Sequence, residues 1–342
     1  MKAETEKPFG SDLFIDHEEL HDIYQVLNVS NSQSAIFFCR KVHEIYNEFA
    51  ALSHSDREAI QDVYVINNRI EEICIDNTAV PMDYQTLNDI SMSLSSALKS
   101  FYSKLYGSES PFNLAAFGKL SDSAIHDFDK AFMTENDKEI CPFCGISPLK
   151  GNNHRYREAY DHFLPKSLYP FNSVNFQNLA PMCNECNSTY KRAKDPSCDL
   201  DPVKKNQHRR KAFYPYSIRH PKLEIQVSLT SDDPFSMKPN NVDLEFVTNQ
   251  ENREEELESW DRIFGITERY KAVICSNNGG VEWFKDIYDE FANYTELTND
   301  DNPDLYFSNI VKSARKYPLN SKGFLKVPFL EECKGKGLLE IR

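Results

Sequence analysis

The segment that decides the fold reads CPFC at 141–144 and CNEC at 183–186, with 38 residues between the two Cys-x2-Cys pairs. Four thiolates at this doubled spacing are the ligand set of a closed tetrahedral zinc site, which leaves no coordination position for a substrate. Four unrelated buried cysteines are the alternative, but chance rarely repeats the same short spacing around one compact segment. A structural zinc ion is therefore predicted at Cys141, Cys144, Cys183 and Cys186.

The residues between the two cysteine pairs are suited to phosphodiester hydrolysis. The chain reads YDHFLPK at 160–166 and NLAPM at 178–182. Hydrolysis needs a base that works at neutral pH, and an imidazole such as that of His162 is one. It also needs a cation to absorb negative charge, and the oxygens of Asp161 and Asn187 suit magnesium or manganese better than zinc. The sequence therefore predicts two metals, one structural and one catalytic.

The order and spacing of these residues resemble the HNH nucleases, the ββα-metal family, and in particular the members that carry two Cys-x2-Cys pairs. The resemblance covers about 141–194, roughly a sixth of the 342 residues. It implies that His162 is the general base and Asp161 the acidic metal ligand. It also implies that Asn178 braces the hairpin loop and that Asn187 is the second metal ligand. The family often has glycine where this chain has Arg192.

Taken alone, these residues also allow simpler interpretations. Neighbouring residues of an ideal strand point to opposite faces, so Asp161 and His162 cannot both face one phosphate without local distortion. An Asp-His pair is usually a surface dipeptide, and asparagines such as Asn178 and Asn187 are more often turn or cap residues than ligands. Only the position of these residues around the cysteine pairs favours the catalytic interpretation.

The charge of the chain is unevenly distributed. The net charge is −14, but residues 150–222 hold 14 Lys or Arg against 6 Asp or Glu, while the rest holds 25 against 47. A local charge of +8 beside −22 elsewhere is compatible with a restricted phosphate-binding surface, although it is also compatible with a solvated basic face. The predicted nucleic-acid contacts, with DNA favoured over RNA, are Lys166, Lys191, Arg192, Lys194, Arg209, Arg210 and Lys211.

The hydrophobic pattern predicts a mostly helical α+β protein in three parts. Residues 1–133 form a helical lobe for scaffolding or partner docking, with helices predicted at 33–53, 55–73 and 82–106. Residues 134–221 form the ββα-metal HNH module, which the structural zinc site holds together. Residues 222–342 form a mixed α/β lobe. In it, strands are predicted at 222–229 and 242–247, and helices at 251–266, 281–293 and 306–316.

The cellular setting follows from hydropathy and cysteine usage. No stretch approaches the ~18 consecutive apolar residues of a membrane span. Nine cysteines are an odd number, and without an export signal they favour metal binding in a reducing compartment. We therefore expect a cytoplasmic protein with no membrane partner.

A metal-dependent endonuclease is the predicted function. The chain resembles HNH effectors of prokaryotic anti-phage systems, including the Septu type, in three features. These are the sequence DHFLPK at 161–166, the long helical region that precedes it and the acidic segments on either side. This resemblance implies a regulated effector in antiviral defence that works with an ATPase or another regulatory protein. Two alternatives stay open. One is a non-catalytic zinc module that binds nucleic acid or protein, and the other is a stand-alone restriction or homing-type nuclease.

Overall fold

A computed structural model describes residues 9–14, 16–107, 109–151, 153–200, 207–298 and 302–339. Within these ranges the protein has the predicted α+β fold, more than half of it helical, with three two-stranded antiparallel sheets. The chain divides into two compact units. The first unit comprises Met1–Asp137, Gly151–Pro181 and Ala193–Tyr216, and the second comprises Lys138–Lys150, Met182–Arg192 and Ser217–Arg342.

Seven helices are described in the first unit. The helix predicted at 33–53 is present, whereas each of the helices predicted at 55–73 and 82–106 is divided in two. The second break occurs at Ser91, whose hydroxyl accepts a hydrogen bond from Leu94 N at 3.2 Å and so starts a new helix. The helices are α1 (Glu18–Asn28), α2 (Gln33–Ala50), α3 (His54–Asn67), α4 (Ile70–Ile75), α5 (Tyr84–Ile90), α6 (Met92–Lys104) and α7 (Gly118–Glu135).

Two short sheets complete the first unit. Strands β1 (Tyr160–His162) and β2 (Leu179–Pro181) are antiparallel, with Asp161 opposite Ala180 and His162 opposite Leu179. Strands β3 (Cys198–Leu200) and β4 (Gln207–Arg209) form the other pair, and residues 201–206 of the basic segment between them lie outside the described ranges. The β1–β2 hairpin carries the motif residues that lie between the cysteine pairs.

The loop of the β1–β2 hairpin is anchored in the helical core of the first unit. Phe171, from this loop, packs into the same buried cluster as Phe49, Leu87 and Leu94. The backbone N–H of Tyr84 donates to the carbonyl of Leu168 at 2.9 Å, and the Asn68 amide donates to the carbonyl of Phe171 at 3.1 Å. The N-terminal helices thus hold the hairpin in place.

The second unit contains one sheet and five described helices. The predicted strands are confirmed as β5 (Leu223–Leu229) and β6 (Val242–Thr248), which pair along their full length. The helices are α8 (Glu254–Phe264), α9 (Ile266–Ile274), α10 (Gly280–Thr298), α11 (Pro303–Lys316) and α12 (Gly323–Gly335). The pattern did not predict α9 or α12. Helix α12 contains Pro328 and is buried on several sides, so it lacks an amphipathic period.

The short helix α9 follows α8 after a sharp break. Gly265, with φ of +60°, lies between them in the left-handed conformation that glycine adopts without penalty. A Cβ at this position would lie 2.3 Å from Cε1 of Tyr190, so any other residue would have to displace the Tyr190 ring. No helix in the described part of the chain combines the length and the apolar character needed to cross a membrane.

Candidate functional site

The four cysteines of the two Cys-x2-Cys pairs meet in one buried cluster of the second unit. Their Sγ atoms lie within 4.8 Å of one another, with 3.8 Å between Cys141 and Cys186 and 4.0 Å between Cys144 and Cys183. Four Zn–S bonds of ~2.3 Å in a tetrahedron place the sulfurs about 3.8 Å apart. The donor set and its spacing fit zinc, and the cluster could hold such a metal as a structural ion.

Local backbone geometry brings these sulfurs together. A tight turn, closed by a 2.8 Å hydrogen bond from Gly145 N to the carbonyl of Cys141, forms the first pair. In the second pair, Cys186 N donates to Sγ of Cys183 at 3.4 Å, and Cys183 N donates to Sγ of Cys141 at 3.4 Å. Such N–H donors stabilise thiolates. Hydrogen bonding among the four sulfurs lowers the pKa of Cys144 and Cys183 and raises the pKa of Cys141 and Cys186.

Arg269 of α9 is a buried cation beside the cluster that the sequence analysis did not identify. Its guanidinium donates to Sγ of Cys186 at 3.2 Å and to the carboxylate of Glu185 at 2.6 Å. Burial lowers the pKa of Arg269, but the hydrogen bond to Cys186 and the negative charges of Cys144, Cys186 and Glu185 together outweigh it, and the net pKa is raised. A zinc ion with four thiolates carries a charge of −2, which Arg269 partly offsets. The one sign of Arg269 in the sequence is its position, because it is a basic residue on the same helix face as the buried Ile266 and Tyr270.

Two further side chains of the second unit fix the first cysteine pair. The indole of Trp260 donates to the carbonyl of Phe143 at 2.7 Å, and the hydroxyl of Tyr270 donates to the carbonyl of Cys144 at 2.9 Å. Both contacts join a helix to the backbone of the metal-binding turn. The turn is therefore supported by α8 and α9 as well as by the sulfur cluster.

His162 lies at the end of β1 in the first unit, with its ring held on two sides. Its Nε2 atom lies 2.9 Å from the carbonyl oxygen of Ser173, an acceptor, so Nε2 carries the proton. In the neutral ring the lone pair is then on Nδ1. The hydroxyl of Tyr106 donates to the same carbonyl, and its ring packs edge-on against the imidazole at 4.8 Å between centroids. Burial raises the pKa of Tyr106 to about 12, which keeps the hydroxyl a donor.

Asp161 and Lys166 lie in the same part of the first unit. The ammonium of Lys166 lies 3.6 Å from the centroid of the Tyr106 ring. Burial lowers the pKa of Lys166, while the nearby carboxylate of Asp161 acts in the opposite direction. The imidazole of His162 and the ammonium of Lys166 therefore both lie against the ring of Tyr106, a residue that the sequence analysis did not single out.

Asn178 is fully buried and links the two ends of the hairpin loop. Its Oδ1 accepts a hydrogen bond from Leu164 N at 2.7 Å, and its Nδ2 donates to the carbonyl of Leu164 at 2.9 Å. Its own backbone carbonyl accepts from Phe163 N at 2.8 Å. These bonds satisfy the buried backbone directly after His162 and thereby fix where β1 ends.

Replacing Asn178 with alanine should lower the free energy of unfolding by about 2–4 kcal/mol. The change leaves the N–H and the carbonyl of Leu164 without their hydrogen-bond partners, and each unsatisfied buried group costs ~1–3 kcal/mol. Urea unfolding of the two proteins measures the difference. Asn153→Ala, at an exposed position of the same unit, is the control and should change stability by less than ~0.5 kcal/mol. Equal losses in the two variants would contradict the bracing role.

The remaining predicted residues are divided between the two units. Asn187 lies in the second unit, in a π-helical segment (Glu185–Lys191) whose last residue, Lys191, is fully buried. Arg192 follows it and is exposed, as is Lys194 in the first unit.

Arg209 and Arg210 of the first unit are engaged with the protein itself. The Arg209 guanidinium donates to Ser197 Oγ at 2.9 Å and to the carbonyl of Ile73 at 2.8 Å. Arg210 lies 3.7 Å from the carboxylate of Asp199, and Lys211 is half-buried. Nucleic-acid contact by Arg209, Arg210 and Lys211 stays a prediction.

Arg192 has a backbone conformation that favours glycine, with φ of +53° and ψ of −124°. A side chain in this region costs ~1–3 kcal/mol. Arg192→Gly should therefore be about 1 kcal/mol more stable than Arg192→Ala, which loses the same side-chain contacts but keeps the Cβ. Thermal unfolding of the two variants tests this directly. If the alanine variant were as stable as the glycine variant, the strain at this position would be disproved.

The two parts of the site differ in what they can do chemically. The sulfur cluster, once it holds a metal, has no open coordination position, so its role is structural. The hairpin offers a proton acceptor at His162 Nδ1 and a hard oxygen ligand at Asp161. Comparison of the chain with protein-family models, with curated proteins and with solved structures finds no match.

Proposed function

We propose that this protein is a metal-dependent endonuclease of the HNH type that hydrolyses phosphodiester bonds, with His162 as the general base. The observation that carries the proposal is the orientation of the His162 ring, whose Nε2–H donates to the Ser173 carbonyl at 2.9 Å. An imidazole oriented in this way, next to a carboxylate, has its lone pair on Nδ1 and can take a proton from water. A zinc module that only binds a partner has no need of such a base.

In the proposed reaction His162 Nδ1 accepts a proton from the attacking water. The Ser173 carbonyl, which already accepts a hydrogen bond from Nε2–H, stabilises the imidazolium that forms and keeps the ring in place. The Tyr106 ring limits rotation of the imidazole from the other side. Lys166 adds positive charge close to Asp161, where a phosphate would be attracted.

The catalytic cation is proposed to be magnesium or manganese, because the donors assigned to it are oxygens. Asp161 would hold it. The family resemblance also names Asn187, which lies in the second unit, as a ligand, and that assignment stays a prediction. When bound, such a cation absorbs the negative charge that grows on the phosphate and on the leaving oxygen. The cluster of four cysteines takes no part in this chemistry.

We further propose that the enzyme acts as a regulated effector in antiviral defence, with DNA as the favoured substrate. The charge of −22 outside residues 150–222 repels nucleic acid and opposes binding until a partner, such as an ATPase, changes the exposed surface. The isolated protein should then leave DNA largely intact with magnesium at physiological salt. Indiscriminate degradation under these conditions would overturn the regulation but not the nuclease chemistry.

The decisive experiment offers plasmid, single-stranded DNA and total RNA to the wild type and to His162→Ala, with magnesium, manganese or EDTA. Cleavage by the wild type alone, abolished by EDTA, supports the proposal. Manganese binding to the zinc-loaded wild type and Asp161→Ala is measured in parallel, because a partner-gated enzyme can bind its cation without cutting. Absence of cleavage together with equal manganese affinity in both proteins would favour the non-catalytic zinc module.

A further inference from the structure

A groove of about 880 Å³ lies within the second unit. One wall is the first cysteine turn, another is the N-terminal half of α12, and a third is β5. Five consecutive residues of β5, 223–227, line it, and no residue of β6 is among its described walls. Side chains alternate between the two faces of a strand, so the groove is lined by residues of both faces, as expected where it runs along the strand's edge.

Hydrogen bonds at both ends of β5 establish which backbone groups face that edge. Lys222 N donates to Asn249 Oδ1 at 2.8 Å, and Thr230 N donates to the carbonyl of Asn241 at 2.9 Å. Both bonds point toward β6, so the even-numbered residues between them face β6 as well. The backbone groups of the odd-numbered residues 223, 225, 227 and 229 therefore point away from β6, toward the groove side.

Helix α12 packs against β5, and its hydrogen bonds to this outer edge are at Leu229. Leu229 N donates to the carboxylate of Glu332 at 3.0 Å, and its carbonyl accepts from the ammonium of Lys336 at 2.8 Å. Across the described ranges, no third strand pairs with β5, and no backbone hydrogen bond joins the outer groups of Leu223, Ile225 or Val227 to another element. An unpaired strand edge of this kind is a template for another extended chain.

The walls of the groove determine what kind of chain fits. Apolar side chains dominate next to the strand edge, and they include Trp260, Phe324 and Val327. The charged residues are Glu224, Glu331, Glu332 and Arg315, which leave a net charge of −2. Arg315 and Glu331 form an ion pair at 2.6 Å that offsets both charges, so the net charge of −2 comes from Glu224 and Glu332. The groove is thus complementary to apolar side chains flanked by basic ones.

We propose that this groove binds an extended segment of a partner protein, in which apolar residues alternate with lysine or arginine, as an added strand on the outer edge of β5. The main chain of the segment pairs with Leu223, Ile225 and Val227, over about 16 Å of strand. Its alternate side chains fill the apolar groove, which supplies specificity. This groove would be the docking site of a regulatory partner, and it is independent of the proposed nuclease chemistry.

The test uses the full zinc-loaded chain and a fluorescent heptapeptide of alternating lysine and valine, with fluorescence anisotropy as the readout. An alternating glutamate and valine peptide should bind at least 10-fold more weakly, because the groove is acidic. Ile225→Pro removes one outward N–H, a position where an edge strand tolerates proline, and should weaken binding about 3- to 10-fold. Equal binding of the two peptides would overturn the proposal.

A second pair of variants, matched in charge, tests the docking site even if Ile225→Pro fails to fold. Glu224→Lys changes the groove and should weaken binding of the lysine peptide. Glu245→Lys makes the same charge change on an exposed position of β6 outside the groove and should leave binding unaltered. Equal losses in the two variants would mean that net charge alone attracts the peptide, which would also overturn the docking site.

Amide hydrogen exchange gives the most direct readout. Bound peptide should slow exchange at Leu223, Ile225 and Val227 but not at Glu224 and Gln226, whose amides already pair with β6. Uniform or absent protection would contradict strand addition. If sedimentation instead showed a dimer that Ile225→Pro abolishes, and no peptide bound, the occupant would be a second copy of this chain and the partner proposal would be wrong.

Discussion

The His162→Ala protein is expected to cleave nucleic acid about 10²–10⁴-fold more slowly than the wild type. This is the usual contribution of a positioned general base, and alanine removes the imidazole that the Ser173 carbonyl orients. The initial rate of cleavage of the best substrate, at saturating manganese, measures the effect. A variant that cuts as fast as the wild type would eliminate His162 as the base.

The control for this prediction is His126→Ala, at an exposed histidine of the first unit whose side chain is 76% accessible. It should cut at the rate of the wild type. Tyr106→Phe provides a graded comparison, because it keeps the ring that packs on His162 but removes the hydroxyl that donates to Ser173. We expect a smaller loss of rate than for His162→Ala, with unchanged substrate affinity. A loss as large as that of His162→Ala would mean that the hydroxyl itself takes part in the chemistry.

Loss of the metal from the cysteine cluster is expected to have the largest effect on stability. Structural zinc contributes ~10 kcal/mol or more to the folding of small modules. Here α8 and α9 also support the first cysteine turn through Trp260 and Tyr270, so we expect a loss of several kcal/mol rather than complete unfolding. Cys141→Ser should bind less than one zinc per chain and unfold at a clearly lower temperature than the wild type.

Cys275→Ser is the matched control, since this cysteine belongs to the second unit but not to the cluster. It should retain one zinc per chain by elemental analysis and a thermal midpoint close to that of the wild type. Chelation of the wild type should first raise hydrogen exchange in 138–150 and 182–192, the two segments that carry the ligands. If Cys141→Ser kept its zinc and its thermal midpoint, the cluster would not be a metal site.

Local sequence patterns predicted much of the secondary structure. The apolar spacing of 33–53 and the alternation of 222–229 and 242–247 correspond to α2, β5 and β6. The pattern missed the breaks before α4 and α6, because they depend on capping and on contacts with the hairpin loop. At Asn68, for example, the side chain that ends α3 bonds to Phe171, 103 residues away along the chain.

The cysteine cluster was predictable because metal ligands must be close in space and the Cys-x2-Cys spacing brings each pair together within one turn. The cation that accompanies the cluster was not predictable. Arg269 reaches Cys186 from a helix 83 residues away, and nothing in its own neighbourhood indicates a metal. Tyr106 likewise meets His162 and Lys166 only after the N-terminal helices have packed on the hairpin loop.

The sequence by itself determined the cysteine cluster, since Cys141, Cys144, Cys183 and Cys186 were recognised from residue type and spacing alone. The roles of Asp161 and His162 stay predictions. Only the tertiary structure decided that the segment from 141 to 194 contributes to two compact units, that the His162 ring is oriented by Ser173 and Tyr106, and that β5 keeps an open edge. The physical reason is the range of the interactions. Ligand spacing is set by neighbours in the chain, whereas ring orientation, charge compensation and strand pairing depend on residues that packing brings together from far apart in the sequence.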